Sequence, residues 1–203
     1  MKSIILFGIC LVSTLGGWAQ QSFGIKAGVN LTNLKSGSYI QSSNRAGYMI
    51  GAYLSPKSKR MLGYRSEIIY SRQAYEFSSS SGYGSVKQDY LLLPQLTTIN
   101  ITRFVQLHLG VQLAFLINAS TDSTSSYSAP EPYGKYMSYY NRFDYGLAGG
   151  VEFYPIKNLL LGTRFNMGLG DMYKSIDPGR QPSAVPAVNT KNKLLQVYAG
   201  WRF

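Results

Sequence analysis

Apolar side chains recur at every second position over eight stretches of this chain, and a period of two marks a β-strand with one apolar face. The last stretch, residues 193–203, shows it most plainly. Leu195, Val197, Ala199, Trp201 and Phe203 share one face, against Leu194, Gln196, Tyr198, Gly200 and Arg202 on the other. The same reading predicts strands over residues 23–31, 47–54, 62–70, 88–99, 105–117, 143–153 and 159–169. In 105–117 the alternation is regular: Val105, Leu107, Leu109, Val111, Leu113, Phe115 and Ile117 against Gln106, His108, Gly110, Gln112, Ala114 and Leu116. In 62–70, Leu62, Tyr64, Ser66, Ile68 and Tyr70 form the outward set. The stretch 88–99 is the least regular, and Tyr90, Leu92, Leu96 and Thr98 are taken as its outward face.

The connections alternate in length. Residues 32–46, 71–87, 118–142 and 170–191 are long and polar, with 118–142 the longest, whereas 55–61, 100–104 and 155–158 are short. Long loops at one end and short turns at the other are the habit of an outer-membrane barrel with both termini in the periplasm. The expected fold is therefore all-β: an eight-stranded antiparallel up-and-down transmembrane β-barrel.

The placement of charge agrees. Lys26, Arg65, Glu67, Asp144, Glu152, Arg164 and Arg202 fall on one face, read as a structural charge cluster in the lumen. A lipocalin-like soluble barrel has the opposite polarity, an apolar lumen and a polar outside. Charge on a lipid face costs about 2–4 kcal/mol at the bilayer midplane, so a face without it suits lipid.

The first 19 residues read as a cleaved secretory signal: basic Lys2, an apolar run from Ile4 to Leu15, and small residues at Gly17 and Ala19. Residues 20–203 form the barrel domain. Cys10 lies in the leader, so the exported chain has no thiol for disulfides or metal. The formal net charge is +11, but the basic residues are scattered, and an exported protein of this pattern is not expected to meet nucleic acid.

Three stretches resemble the PorT-like outer-membrane β-barrel family of Bacteroidota: Gly63-Tyr64-Arg65-Ser66-Glu67, Tyr90-Leu91-Leu92-Leu93-Pro94, and the run from Phe143 to Glu152. The resemblance spans most of residues 20–203. It implies an eight-stranded barrel and no reaction. Some members are similar to components of a protein-secretion apparatus, and nothing in these stretches singles out that branch.

The candidate chemistry is sparse. His108 is the single histidine and sits among Gln106, Gly110 and Gln112; a catalytic role needs a positioned serine or carboxylate, and spacing assigns none. Glu67, Asp144 and Glu152 could ligate a metal, but the lumen arginines and Lys26 are the expected partners of those carboxylates. The run Gly146-Leu147-Ala148-Gly149-Gly150 lacks the Lys-Ser/Thr of a phosphate loop. No catalytic residue, cofactor or metal is expected. Tyr127, Tyr133, Tyr136, Tyr139 and Tyr140 form either a contact surface or an aromatic belt at the headgroups. Trp201 and Phe203 are expected to be the end read by the barrel-assembly machinery. The expected role is structural or interactive, for a monomer contacting outer-membrane lipid, lipopolysaccharide and an unidentified protein partner. A lipid-modifying enzyme on the same scaffold, a secretion component and a narrow channel are the alternatives.

Overall fold

The computed structural model describes residues 21–32, 44–56, 61–79, 82–123, 141–170 and 192–203. They form a closed barrel of eight strands: β1 (Gln21–Thr32), β2 (Asn44–Pro56), β3 (Leu62–Ser79), β4 (Gly82–Asn100), β5 (Val105–Ser123), β6 (Phe143–Phe153), β7 (Leu159–Gly168) and β8 (Lys193–Arg202). Each strand pairs antiparallel with its chain neighbours, and β8 closes on β1. The leader expected at residues 1–19 lies outside the described residues.

Register sets the shape. The row that starts at Phe23 runs through Leu54, Ser66, Gln95, Val111, Leu147 and Met167 to Lys193. Lys193 lies one position beyond the Thr32–Leu194 pair, so one circuit displaces the register by ten residues, from the level of 23 to that of 33. A stagger of this size tilts the strands by about 35–45° and leaves an interior that side chains fill.

The polarity is that of a protein turned inside out. Ile25, Val29, Ile50, Leu109, Val111, Phe165 and Val197 are exposed, while Lys26, Arg65, Glu67, Glu152 and Arg164 are buried. Aromatic side chains gather at both rims of the apolar band. Phe23, Tyr64, Phe104, Phe153, Trp201 and Phe203 lie toward the short-turn end; Tyr48, Tyr70, Phe115, Phe143 and Tyr145 lie toward the other. Such girdles flank the hydrocarbon zone of outer-membrane barrels.

Three expectations are corrected. First, β4 faces the other way: Tyr90, Leu92, Leu96 and Thr98 are buried in the lumen, and Thr97 is exposed. Leu91-Leu92-Leu93 is apolar on both faces, so alternation cannot orient it. Register does, by setting Leu92 opposite Ala114 and Leu96 opposite Gly110, small partners that leave room inside. Second, most of 71–87 is strand: β3 and β4 stay paired up to Ser79 and Gly82. Above the bilayer neither face needs to be apolar, so the ladder continues where the hydrophobic pattern stops. Third, β5 runs on to Ser123, which makes the connection across 169–192 longer than that across 124–142.

Candidate functional site

The lumen holds the polar chemistry of the described chain, in two layers. In the layer nearer the short turns, Glu67 accepts from Lys26 Nζ at 2.7 Å and from both terminal nitrogens of Arg164 at 2.6 and 2.9 Å. Glu152 accepts from Arg65 at 2.6 and 2.7 Å, from the Tyr154 hydroxyl at 2.8 Å and from the Tyr198 hydroxyl at 2.9 Å. Arg65 also donates to Gln106 at 2.5 Å. Lys26 lies 4.4 Å from the centre of the Tyr198 ring, and the Arg65 guanidinium 4.7 Å from that of Tyr53. Three cations thus meet two carboxylates, all buried. Tyr154, just past the end of β6, has its phenol pushed above its ordinary value by burial and by the Glu152 carboxylate, so it stays a donor.

Glycine makes the room. A side chain at Gly24 would lie 2.3 Å from the Tyr53 ring, and one at Gly162 would lie 2.7 Å from the Tyr198 ring. Each glycine pairs across the ladder with the tyrosine that covers it, so the ring can lie flat across the neighbouring strand.

Toward the long-loop end lies a carboxamide layer. Asn30 donates to the carbonyls of Tyr48 and Arg72 at 2.9 Å, which fixes its amide orientation. Its oxygen accepts from Gln196 at 3.1 Å, and Gln196 accepts from Asn166 at 2.9 Å. Above them, a cavity of about 10 Å³ lies among Gln73, Gln112, Asn166 and Asn192. That is room for about one water.

Of the residues expected in the charge cluster, Lys26, Arg65, Glu67, Glu152 and Arg164 come together and two do not. Asp144 lies at the long-loop end, where its Oδ1 accepts from the backbone of Tyr145 at 2.7 Å and of Gly170 at 3.0 Å. Arg202 lies at the opposite end, donating to the Lys157 carbonyl at 3.0 Å and sitting over the Tyr154 ring. Alternation placed both on the inner face but could not give their height along the axis. Trp201 and Phe203 are on the lipid side, and Phe203 donates its N–H to the Phe23 carbonyl at 2.8 Å and stacks on that ring. Tyr127, Tyr133, Tyr136, Tyr139 and Tyr140 lie outside the described residues.

His108 is buried and its Nε2 accepts from Arg164 Nε at 3.0 Å. The imidazole is therefore neutral, with its proton on Nδ1. Among the described residues no group of three or more His, Cys, Asp or Glu is placed to hold a metal. The sequence reading missed Tyr53, Tyr154, Tyr198 and Gln106 as partners of the ions. For Tyr53 and Tyr198 the signal was an inward tyrosine one strand away from an inward glycine.

A closed antiparallel barrel with an apolar exterior between two aromatic girdles and a charged, filled interior is an outer-membrane β-barrel of a Gram-negative envelope. The chain belongs to the family of outer membrane protein β-barrel domains, which matches residues 18–174. The fold is similar to that of Ail, the attachment invasion locus protein of Yersinia pestis, solved with the heparin analogue sucrose octasulfate. The identity is 16%, covering 91% of this chain and 99% of that one, with a TM-score of 0.50. It is also similar to Neisserial surface protein A, at 13% identity over 90% of this chain and 97% of that one, again with a TM-score of 0.50. No curated protein matches the sequence. The protein is a small barrel of the outer membrane.

Proposed function

We propose that this barrel is a closed, non-catalytic scaffold that acts by contact, presenting its long connections outside the cell. The observation that carries the reading is the filling of the lumen. Glu67 is held by two cations and Glu152 by a cation and two phenols, the histidine is tied to Arg164, and the described cavity has room for about one water. Such an interior offers neither a conducting path nor an activated nucleophile. Function on a rigid scaffold is then left to loops. The segments 124–140 and 171–191, with Tyr127, Tyr133, Tyr136, Tyr139 and Tyr140 in the first, are the contact surface of this reading.

Exposed Arg142 and Lys193, with half-buried Arg72, stand at the rim above Tyr48, Tyr70 and Tyr145, at the level where lipopolysaccharide phosphates lie. They are the lipid contacts in this reading, and Trp201 and Phe203 the contact with the barrel-assembly machinery. Residues 1–19 are the export signal. Within its family we read the chain with the PorT-like barrels, on the stretches around Gly63, Tyr90 and Phe143, none of which singles out the secretion branch.

The test replaces residues 124–140 with a short Gly/Ser turn. The barrel is expected to keep its heat-modifiable folded form, while partners crosslinked on intact outer membranes are lost. Retention of every partner would overturn the assignment to this loop.

A further inference from the structure

Among the described residues the lipid-facing belt carries a hydrogen-bonded polar cluster on β3 and β4. Leu62, Tyr64, Ser66, Ile68 and Tyr70 point outward on β3, and Leu91, Leu93, Gln95, Thr97 and Ile99 on β4. Ser66 pairs with Gln95, and Tyr64 with Thr97. The Tyr64 hydroxyl donates to Gln95 Oε1, and Gln95 Nε2 donates to Ser66 Oγ at 3.0 Å. Gln95 is the central member of the outward set of β4. On the Phe23-to-Lys193 row it stands between Ser66 and Val111, well inside both girdles. Apart from half-buried Thr163, the outward side chains at this depth on β1, β2 and β5 to β8 are apolar.

A second irregularity coincides with it. Pairing between β3 and β4 passes from Ser66–Gln95 to Ile69–Leu92, skipping Glu67, Ile68, Leu93 and Pro94. Pro94 has no N–H, so it cannot donate to the ladder at that rung. Hydrocarbon offers no hydrogen bonds to make up for the lost rung or for an exposed carboxamide.

We propose that this patch is the contact between two copies of the barrel, joined side by side in the membrane through β3 and β4. The internal bonds use one Nε2 hydrogen of Gln95, which leaves the other and the hydroxyl of exposed Thr97 for a neighbour. Acyl chains cannot take these groups, so the occupant is a protein that brings a donor and an acceptor to the same depth. A second copy does so by symmetry, because a carboxamide is donor and acceptor at once and an isologous contact sets Gln95 against its own image. The small side chains of Ser66, Thr97 and Ala52 line the patch, and small residues let backbones approach closely in lipid. This departs from the monomer expected from sequence.

The test uses single cysteines in a Cys10→Ser background, oxidised in native outer membranes. Thr97→Cys is expected to give a disulfide-linked dimer, and Val197→Cys, on β8 across the barrel, to give none. Gln95→Leu is expected to weaken self-association of the purified barrel in vesicles at least about tenfold, read by energy transfer between labelled copies, with heat-modifiability unchanged. Thr97→Val, which removes the exposed hydroxyl at nearly the same volume and is also expected to weaken self-association, serves as a second variant should Gln95→Leu fold poorly. Equal crosslinking at 97 and 197, crosslinking of Thr97→Cys to a different protein, or a monomer at every density would overturn the proposal.

Discussion

Substituting Glu67 by Gln gives the sharpest test of how the lumen is held. The carboxylate is fully buried and takes bonds of 2.6, 2.7 and 2.9 Å from two cations. Glutamine keeps the shape and removes the charge, leaving Lys26 and Arg164 buried against a neutral amide. Before the change the layer holds three cations and two anions; afterwards it holds three and one. Breaking a buried pair from one side costs about 3–5 kcal/mol, because the remaining charge stays desolvated. We expect Glu67→Gln to lower the stability of the barrel in lipid vesicles by that amount, measured as a shift in its urea midpoint followed by Trp201 fluorescence.

Two companion variants separate charge balance from mere contact. Lys26→Met leaves Glu67 bonded to both nitrogens of Arg164 and leaves two cations facing two anions. Its cost is expected to stay within about 1 kcal/mol, well below that of Glu67→Gln. The triple change Lys26→Met, Glu67→Leu, Arg164→Met removes the ions together, and apolar replacement of a whole buried ion cluster is often neutral or stabilising. It should recover most of the loss. If Glu67→Gln costs less than about 1 kcal/mol, or if Lys26→Met costs as much, the reasoning from uncompensated charge fails.

Pure protein in planar bilayers should show no stable conductance, since the interior is filled by paired ions and carboxamides; resolved open-channel steps would refute this. Gly24→Ala should cost about 1–3 kcal/mol, because its new carbon meets the Tyr53 ring at 2.3 Å, and adding Tyr53→Leu should relieve much of that cost in a double-mutant cycle. Deleting Phe203 removes the bond and the stacking to Phe23 and should lower the heat-modifiable fraction in the outer membrane. An unchanged folding yield would count against Phe203 as an assembly end.

The strands were legible wherever one face met lipid and the other did not. β5 reads without ambiguity because Val105 to Ile117 alternate with Gln106, His108 and Gln112, and lipid demands that alternation. Legibility failed where the demand lapsed. Along Leu91-Leu92-Leu93 both faces are apolar, the inner one because Leu92 and Leu96 fill the lumen opposite Ala114 and Gly110. Which face looks inward is then a property of two neighbouring strands and cannot be read from one. In the upper parts of β3, β4 and β5 the backbone ladder runs on past the stretches where the side chains alternate, because pairing needs main-chain bonds and not an apolar face.

The site was legible in part for a related reason. Sharing a face is a matter of parity, and parity placed Lys26, Arg65, Glu67, Glu152 and Arg164 together. Meeting is a matter of height, which depends on the ten-residue stagger around the barrel. Asp144 and Arg202 have the right parity and the wrong height, so they end in backbone contacts at opposite rims. The tyrosines that complete the ion layer were hidden because an inward tyrosine looks like any bulky filler. Tyr53 and Tyr198 become partners because the strand beside each supplies a glycine, Gly24 for Tyr53 and Gly162 for Tyr198. Parity read strand by strand, then stagger, then the opposition of small and large residues is the order in which this interior is determined. Only the first of these is written in a single stretch of sequence.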